Sequence, residues 1–258
     1  MSSNRLRLLT FNIAHGRGLN PIQGLTTARR IRTNLLKISR LLHTVKADVV
    51  AMQEIDQESR WAGNFDHCQY LSRHSGLKHT AWGINNERSG LFNLRYGNAL
   101  LSRFPVHATT NVVFGRKRIG EKGFLYVELN VRGHLIPLVN LHLHYRSKDQ
   151  RLAQLNRLTD WLTQMNEDHG KRWFMPPIIC GDFNTPRTRS DATAALLSHL
   201  HDFADYSWFP QTEATFPSPW PTRTLDFIFL PPACKRPHAV VVKSYLSDHR
   251  PVLVEFDL

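Results

Sequence analysis

Acids, amides and histidines recur in this chain at positions where apolar segments end or are interrupted. Asn12 interrupts "LLTFNI", Glu54 ends "VVAMQE", and His142 interrupts "LVNLHLH". Asp182 and Asn184 close "IICGDFN", Asp226 opens "LDFIFL", and Asp248 and His249 precede the last apolar run in "LSDHRPVLVEF". Taken singly, each is an ordinary turn former, cap or hydrogen-bonded core residue. As a set they are equipment for one kind of chemistry. An ion buried alone is costly, so such acids need partners or a metal. Oxygen ligands from Glu54, Asp182 and Asp248 suit Mg²⁺ or Mn²⁺, which keep waters and take substrate phosphate. An Asp beside a His stabilises the protonated ring near neutral pH. Together these groups could carry out metal-assisted phosphoester hydrolysis. No Ser or Cys stands with a base in a recognisable nucleophile motif.

Such residues need rigid elements beneath them. Eight apolar or β-branched runs read as strands: 6–13, 48–54, 96–103, 124–131, 136–144, 177–184, 225–230 and 251–258. Helical spacing fits 27–45, through Ile31, Leu35, Ile38, Leu41 and Leu42, and 148–165, through Leu152, Leu155, Leu158, Trp161 and Leu162. A third, weaker helix is expected over 191–200. Strands outnumber helices and do not alternate with them, which predicts two sheets packed face to face with helices outside.

The 258 residues contain no Gly/Ser-rich linker, low-complexity tract or fixed repeat, so one domain over 1–258 is expected. Cys68, Cys180 and Cys234 are far apart and form no CxxC pair, which argues against a disulfide framework or a structural zinc site. The N-terminal stretch lacks the apolar core of a secretory signal, and no apolar run approaches the roughly 18 residues of a membrane span. A cytoplasmic, monomeric protein without a stable protein partner is the expectation. A net charge of +12, from 33 Lys and Arg against 21 Asp and Glu, suggests a polyanionic partner.

The ordered series "TFNI", "QEID", "GNALLSR", "NLHLH", "GDFN", "LDFIF" and "SDHRPV" resembles the endonuclease/exonuclease/phosphatase superfamily of metal-dependent phosphoesterases, from about residue 6 to residue 256. The resemblance implies a four-layer α/β sandwich, with two mainly antiparallel sheets and the site at one end. It implies Glu54 as the principal ligand of Mg²⁺ or Mn²⁺, with Asn12 and Asp248 nearby in the metal shell. By the same resemblance His249 contacts the scissile phosphate, Asp226 orients it, and Asp182 and Asn184 position the water and a phosphate oxygen. His142 is a candidate general acid or phosphate ligand. The division of base and acid among Asp182, His142 and His249 stays open.

Departures from known branches bear on substrate. Abasic-site endonucleases usually carry Lys where "QEID" has Asp56, and secreted deoxyribonucleases carry signals and disulfides. The wording is closest to a bacterial-type group of hydrolases with varied substrates. Asn98, an amide inside an apolar strand, is a candidate substrate contact because it needs a partner. Arg60 and Arg95 are candidate phosphate clamps. The basic stretch 114–123 and the aromatic-rich 206–221 could meet a phosphate backbone, bases or lipid, or be ordinary loops. A nuclease or phosphodiesterase acting on nucleic acid is the leading expectation, on charge. A phosphatase or phospholipase-like enzyme for a lipid headgroup or small ester is the alternative, and a catalytically silent scaffold the least favoured.

Overall fold

The structure, a computed structural model, describes residues 5–116, 120–169, 171, 173–185 and 191–258. The middle of the basic stretch 114–123 and Pro186 lie outside them.

Among the described residues, twelve strands form two six-stranded mixed sheets. The first has the order β11-β12-β1-β2-β4-β3 and the second β5-β6-β7-β8-β10-β9. The members of the first sheet are β1 (Arg5–Asn12), β2 (Val49–Asp56), β3 (His79–Arg88), β4 (Leu94–Ser102), β11 (Lys235–Val241) and β12 (Val252–Asp257). The second sheet comprises β5 (Val106–Val113), β6 (Gly123–Val131), β7 (His134–His142), β8 (Ile178–Asp182), β9 (Ser207–Phe209) and β10 (Asp226–Leu230). Each sheet has one parallel pair at its centre, β1–β2 and β7–β8, and antiparallel pairs elsewhere. A helix makes each parallel crossover: α1 (Ala28–Thr44) between β1 and β2, and α3 (Lys148–His169) between β7 and β8. Helices α2 (His67–Ser75) and α4 (Ala192–His201) complete the outer layers.

Three apolar clusters separate these four layers. Leu8, Ala51, Leu100, Leu125, Leu138 and Ile228 fill the space between the sheets. Ile31, Leu35, Ile38 and Leu42 of α1 and Leu71 of α2 cover the outer face of the first sheet. Leu155, Leu158 and Leu162 of α3, with Leu196 and Leu200 of α4, cover the second. The buried positions of α1 recur at helical spacing, and Thr27 caps it by accepting the Arg30 amide at 3.3 Å. The layered sandwich expected from sequence is the fold observed.

One polar feature crosses the apolar layer between the sheets. Asn140 on β7 donates to the carbonyls of Met52 (2.9 Å) and Ala99 (3.0 Å) in the opposite sheet, and accepts from Gln53 Nε2 at 2.7 Å. Asn98 on β4 answers from the other side, donating to the carbonyls of Gly123 (3.0 Å) and Asn140 (3.2 Å). All three amide side chains are fully buried. Asn98 therefore holds the sheets together, not substrate; the partner its strand position demanded is main chain.

Removing a partner from this clamp strands buried carbonyls, each costing about 1–3 kcal/mol. Asn140→Ala is expected to lower the unfolding free energy by roughly 2–5 kcal/mol in urea titration. A loss under about 0.5 kcal/mol, the size of a surface change, would show that the clamp carries no weight.

Candidate active site

The parallel pairs end at the same end of the sandwich, and their last residues face one another across a cleft of about 420 Å³. Open α/β sheets place ligands at such carboxyl ends. Strand register sets the row on one side: His142 lies opposite Asp182, and Asp182 opposite Asp226. Gly181 allows this. Its φ is +141°, and a Cβ there would meet the Leu141 carbonyl oxygen at 2.0 Å.

On the other side, the register of β2 against β4 shifts between Gln53 and Ile55, and Glu54 sits in the shift with φ +51°. A bulge re-aims the side chain it carries. Glu54 thereby turns its carboxylate into the cleft, while its neighbours Gln53 and Ile55 stay buried. Asn12, the last residue of β1, spans the gap and donates to Asp182 Oδ2 at 2.9 Å. Its own oxygen accepts the Ala14 amide at 3.0 Å, which folds the chain back so that His15 enters the cleft.

His249 is held from behind. Its Nδ1 contacts Asp226 at 2.9 and 3.1 Å, and Thr215 Oγ1 donates to the same carboxylate at 2.6 Å. Its Nε2 therefore faces the cleft, 3.8 Å from Asp182 Oδ2. Burial works to lower the His249 pKa, but Asp226, then Asp182, outweigh it and raise it to about 10. His142 is set the other way. Lys122 Nζ lies 3.3 Å from its Nδ1; an ammonium only donates, so Nδ1 accepts and Nε2 carries the proton. Nε2 then points at Asp182 Oδ2, 3.4 Å away. Burial first and the Lys122 charge second push the His142 pKa well below 6.5, so the ring is neutral.

Asp182 is almost fully buried and accepts from Asn12 and from the Asn184 amide at 2.9 Å. Burial, helped by Asp226 and opposed by His249, raises its pKa to about 7. For Glu54, burial pushes upward, but Lys122, His15, His142 and His249 hold the carboxyl well below its usual range. Asn184, also with φ +51°, donates to the Leu143 carbonyl at 3.0 Å and lines the cleft. Asp248 lines it opposite, its carboxylate joined to Arg17 at 2.8 Å.

The donor set suits a hard divalent ion. No donor among the described residues hydrogen-bonds the Glu54 carboxylate; the nearest cationic groups are Lys122 Nζ at 3.5 Å, His15 Nε2 at 3.7 Å and His142 Nε2 at 4.0 Å. An ionised, half-buried carboxylate with free lone pairs, in a cleft that Asn12 and Asp248 also line, fits Mg²⁺ or Mn²⁺. A tighter cluster, Asp182, Asp226 and His249, brings one ligand atom from each within 4.8 Å. Asp226 and the His249 Nδ1 are already spent on each other, so that trio reads as a proton-handling group.

Sequence reasoning passed over several cleft residues. His15 is buried with Nδ1 2.7 Å from Asp56, which also accepts from Trp61 at 2.9 Å. Lys122 belongs to the basic stretch, and Arg17, Trp61, Phe216 and Arg223 also line the cleft, beside Tyr96. The signal for His15 was a polar residue just past "TFNI" with an acid, Asp56, just past Glu54. Arg60 and Arg95 lie outside the cleft lining. Arg60 donates to the Leu91 carbonyl and stacks on Phe92, and Arg95 pairs with Glu87 at 3.5 Å.

This fold and this constellation of acids, amides and histidines define a class, and the comparisons agree. The chain belongs to the Endonuclease/Exonuclease/phosphatase family, whose model matches residues 9–249. It is 26% identical over 260 residues to the uncharacterized protein YbhP of Escherichia coli K12, covering 98% of this chain and 96% of that one. Among solved structures it resembles an endonuclease/exonuclease/phosphatase of Beutenbergia cavernae, with TM-score 0.73 and 19% identity over 98% of this chain and 72% of that one. It also resembles a mannosyl-6-phosphatase of Bacteroides thetaiotaomicron, with TM-score 0.70 and 16% identity over 98% of this chain and all of the other. Family members are hydrolytic phosphoesterases, and many use divalent metals.

The two histidines give a direct test in metal-free protein. His249 should still be imidazolium at neutral pH in ¹⁵N-resolved NMR, titrating near about 10, while His142 stays neutral below pH 6.5. Asp226→Asn should lower the His249 pKa, since Asp226 is the largest influence raising it. The sign for stability follows. The folded pKa of His249 exceeds 6.5, so its contribution is full below pH 6.5 and is lost as pH rises toward 10. A neutral His249 at pH 7 would break the assigned pairing with Asp226.

Proposed function

We propose that the chain is a Mg²⁺- or Mn²⁺-dependent phosphodiesterase that cleaves a P–O bond by in-line attack of water. The observation that carries this reading is the convergence on one cleft of two histidines, one backed by a carboxylate and one by an ammonium, and two carboxylates. Glu54, with Asn12 and Asp248, would hold the ion. When bound there, such an ion polarises a phosphoryl oxygen and offsets charge in the transition state.

The chain's own residues supply the rest. Asp182, poised near neutrality, accepts the proton of the attacking water, and Asn184 and Asn12 fix its carboxylate. The imidazolium of His249, oriented by Asp226, faces the phosphoryl group, neutralises charge developing there and donates the proton the leaving oxygen needs. His142 donates its Nε2–H to a phosphoryl oxygen, with Lys122 fixing the tautomer. Arg17 and Arg223 add positive charge on the substrate side. The +12 charge favours an anionic substrate; it supports nucleic acid, a lipid headgroup or another phosphate ester alike. A cleft of about 420 Å³ has room for one such unit at a time.

Purified protein with Mg²⁺ or Mn²⁺ should hydrolyse bis-p-nitrophenyl phosphate, and EDTA should abolish the reaction. Asp182→Ala and His249→Ala should each lower kcat by about 100-fold or more. Full activity of either variant would remove that residue from the chemistry. Glu54→Gln should raise the metal concentration needed for half-maximal rate, and an unchanged requirement would place the ion elsewhere.

A further inference from the structure

Large apolar side chains are not exposed at random on this molecule. Ten are exposed among the described residues, and eight of them lie on loops at the cleft end. The first group is Leu19, Ile22 and Leu25, on the loop that follows β1. That loop is tied to the cleft wall: Arg17 donates to the Asn20 carbonyl, and a Cβ placed on Gly24 would meet Trp61 Cβ at 3.7 Å. The second is Leu91 and Phe92, at the β3–β4 turn, 80% and 57% exposed. Trp220, 81% exposed, rides on the loop that also brings Phe216 and Arg223 to the cleft. Tyr145 and Tyr245 occupy the loops after β7 and before β12. The two exceptions, Phe174 and Val240, sit before β8 and on the outermost strand of the first sheet.

Isolated exposed Leu or Trp residues are ordinary, but their concentration around one opening is not. Cations are interleaved with them. Arg60 lies over Phe92 at 4.8 Å and Arg146 over Tyr145 at 4.9 Å. On the cleft wall, Arg223 lies over Phe216 at 4.7 Å. Aromatic rings with guanidinium groups beside them match the boundary between anionic headgroups and acyl chains. Bases could stack on the rings. The aliphatic tips Leu19, Ile22, Leu25 and Leu91 offer nothing to a base and much to an acyl layer.

We infer that the rim of the cleft is a docking surface for an anionic lipid bilayer, and that the scissile phosphodiester is presented from that surface. The loops set the apolar side chains into the interface while the arginines pair with headgroup phosphates. The cleft then opens toward the headgroups, where its Arg17, Lys122 and Arg223 meet phosphate. The choice of a lipid phosphodiester as substrate rests on the function proposed above; the docking surface does not.

The test is co-sedimentation with vesicles of phosphatidylcholine alone or mixed with phosphatidylglycerol. Binding should be several-fold stronger to the mixed vesicles and weaken with salt. Trp220→Ala and Leu91→Ser should each weaken partitioning by about tenfold. Both side chains are solvent-exposed and outside the cleft lining, so hydrolysis of bis-p-nitrophenyl phosphate should be unchanged. Equal binding to both vesicle types, or partitioning indifferent to the two substitutions, overturns the docking surface even if the soluble diester is cleaved. Loss of single-stranded oligonucleotide binding in Trp220→Ala, with vesicle binding intact, overturns it in favour of nucleic acid. Vesicle binding without cleavage of any soluble diester leaves the docking surface standing and removes the proposed reaction.

Discussion

The structure depends on the amide clamp at its centre. Apolar packing between two sheets is non-directional and fixes their mutual position only coarsely. Hydrogen bonds between Asn140, Gln53, Asn98 and the main chain of the facing strands fix it closely, because each needs its partner within about 3 Å. The clamp stands just beneath the cleft. Asn140 is two residues before His142, on the same face of β7, and Gln53 directly precedes Glu54. Glu54 and Asn12 come from one sheet, and His142, Asp182 and Asp226 from the other. Sheet-to-sheet placement is therefore site geometry. The clamp is satisfied through its donors: Gln53 Nε2, Asn98 Nδ2 and Asn140 Nδ2 all find acceptors, while Gln53 Oε1 and Asn98 Oδ1 are buried without a partner among the described residues.

Above the clamp, the chain leaves regular geometry in order to aim side chains. Glu54, Asn184, Ala14 and His15 all have positive φ without being glycine. Such conformations cost of order 1 kcal/mol each and persist where the surroundings enforce them. Here the enforcement is visible. Glu54 lies between Gln53 and Ile55, both locked into the β4 pairing; Asn184 is tied to Asp182 and Leu143; the Ala14 amide is held by Asn12. Each of these four angles has a cleft-lining side chain at it or beside it, whereas Lys46, Glu58, Asn64, Arg132 and Arg236 take positive φ outside the cleft lining.

How far sequence reveals this architecture depends on the position of a strand in its sheet. The eight runs read as strands are β1, β2, β4, β6, β7, β8, β10 and β12, all interior. The four unread, β3, β5, β9 and β11, are the four edges. An interior strand is covered on both faces and paired on both sides, so it reads as a continuous apolar run. An edge strand is half solvated: "VHATTNVV" and "KRPHAVV" are polar, and the Lys, Arg and Pro of the second discourage further pairing. The same logic sorts the site. Residues ending interior strands stand out because a polar group contradicts its apolar run. His15 and Lys122 lie in polar stretches where nothing contradicts them, and only the fold brings them to Glu54. Asn98 contradicted its run as clearly as Asp182 did, yet serves the clamp. The sequence signal marks a buried polar group; whether it faces a cleft or another strand is decided by depth along the sheet.

Composition and site also differ in what their charges do. The net +12 is a property of the whole chain, whereas the cleft holds charges of both signs that depend on one another. Lys122 lies beside both Glu54 and His142; its charge favours the ionised carboxylate and, after burial, is the second force keeping the ring neutral. Asp226 does the reverse for His249. Two imidazoles about one carboxylate, Asp182, thus differ in protonation because the groups behind them differ in sign. That asymmetry leaves one ring with a proton to give and the other with a single N–H facing the cleft. It arises from which residue the fold places behind each ring, not from the rings themselves. A positive group behind His249, or a carboxylate behind His142, would exchange their protonation preferences without altering the rest of the cleft lining.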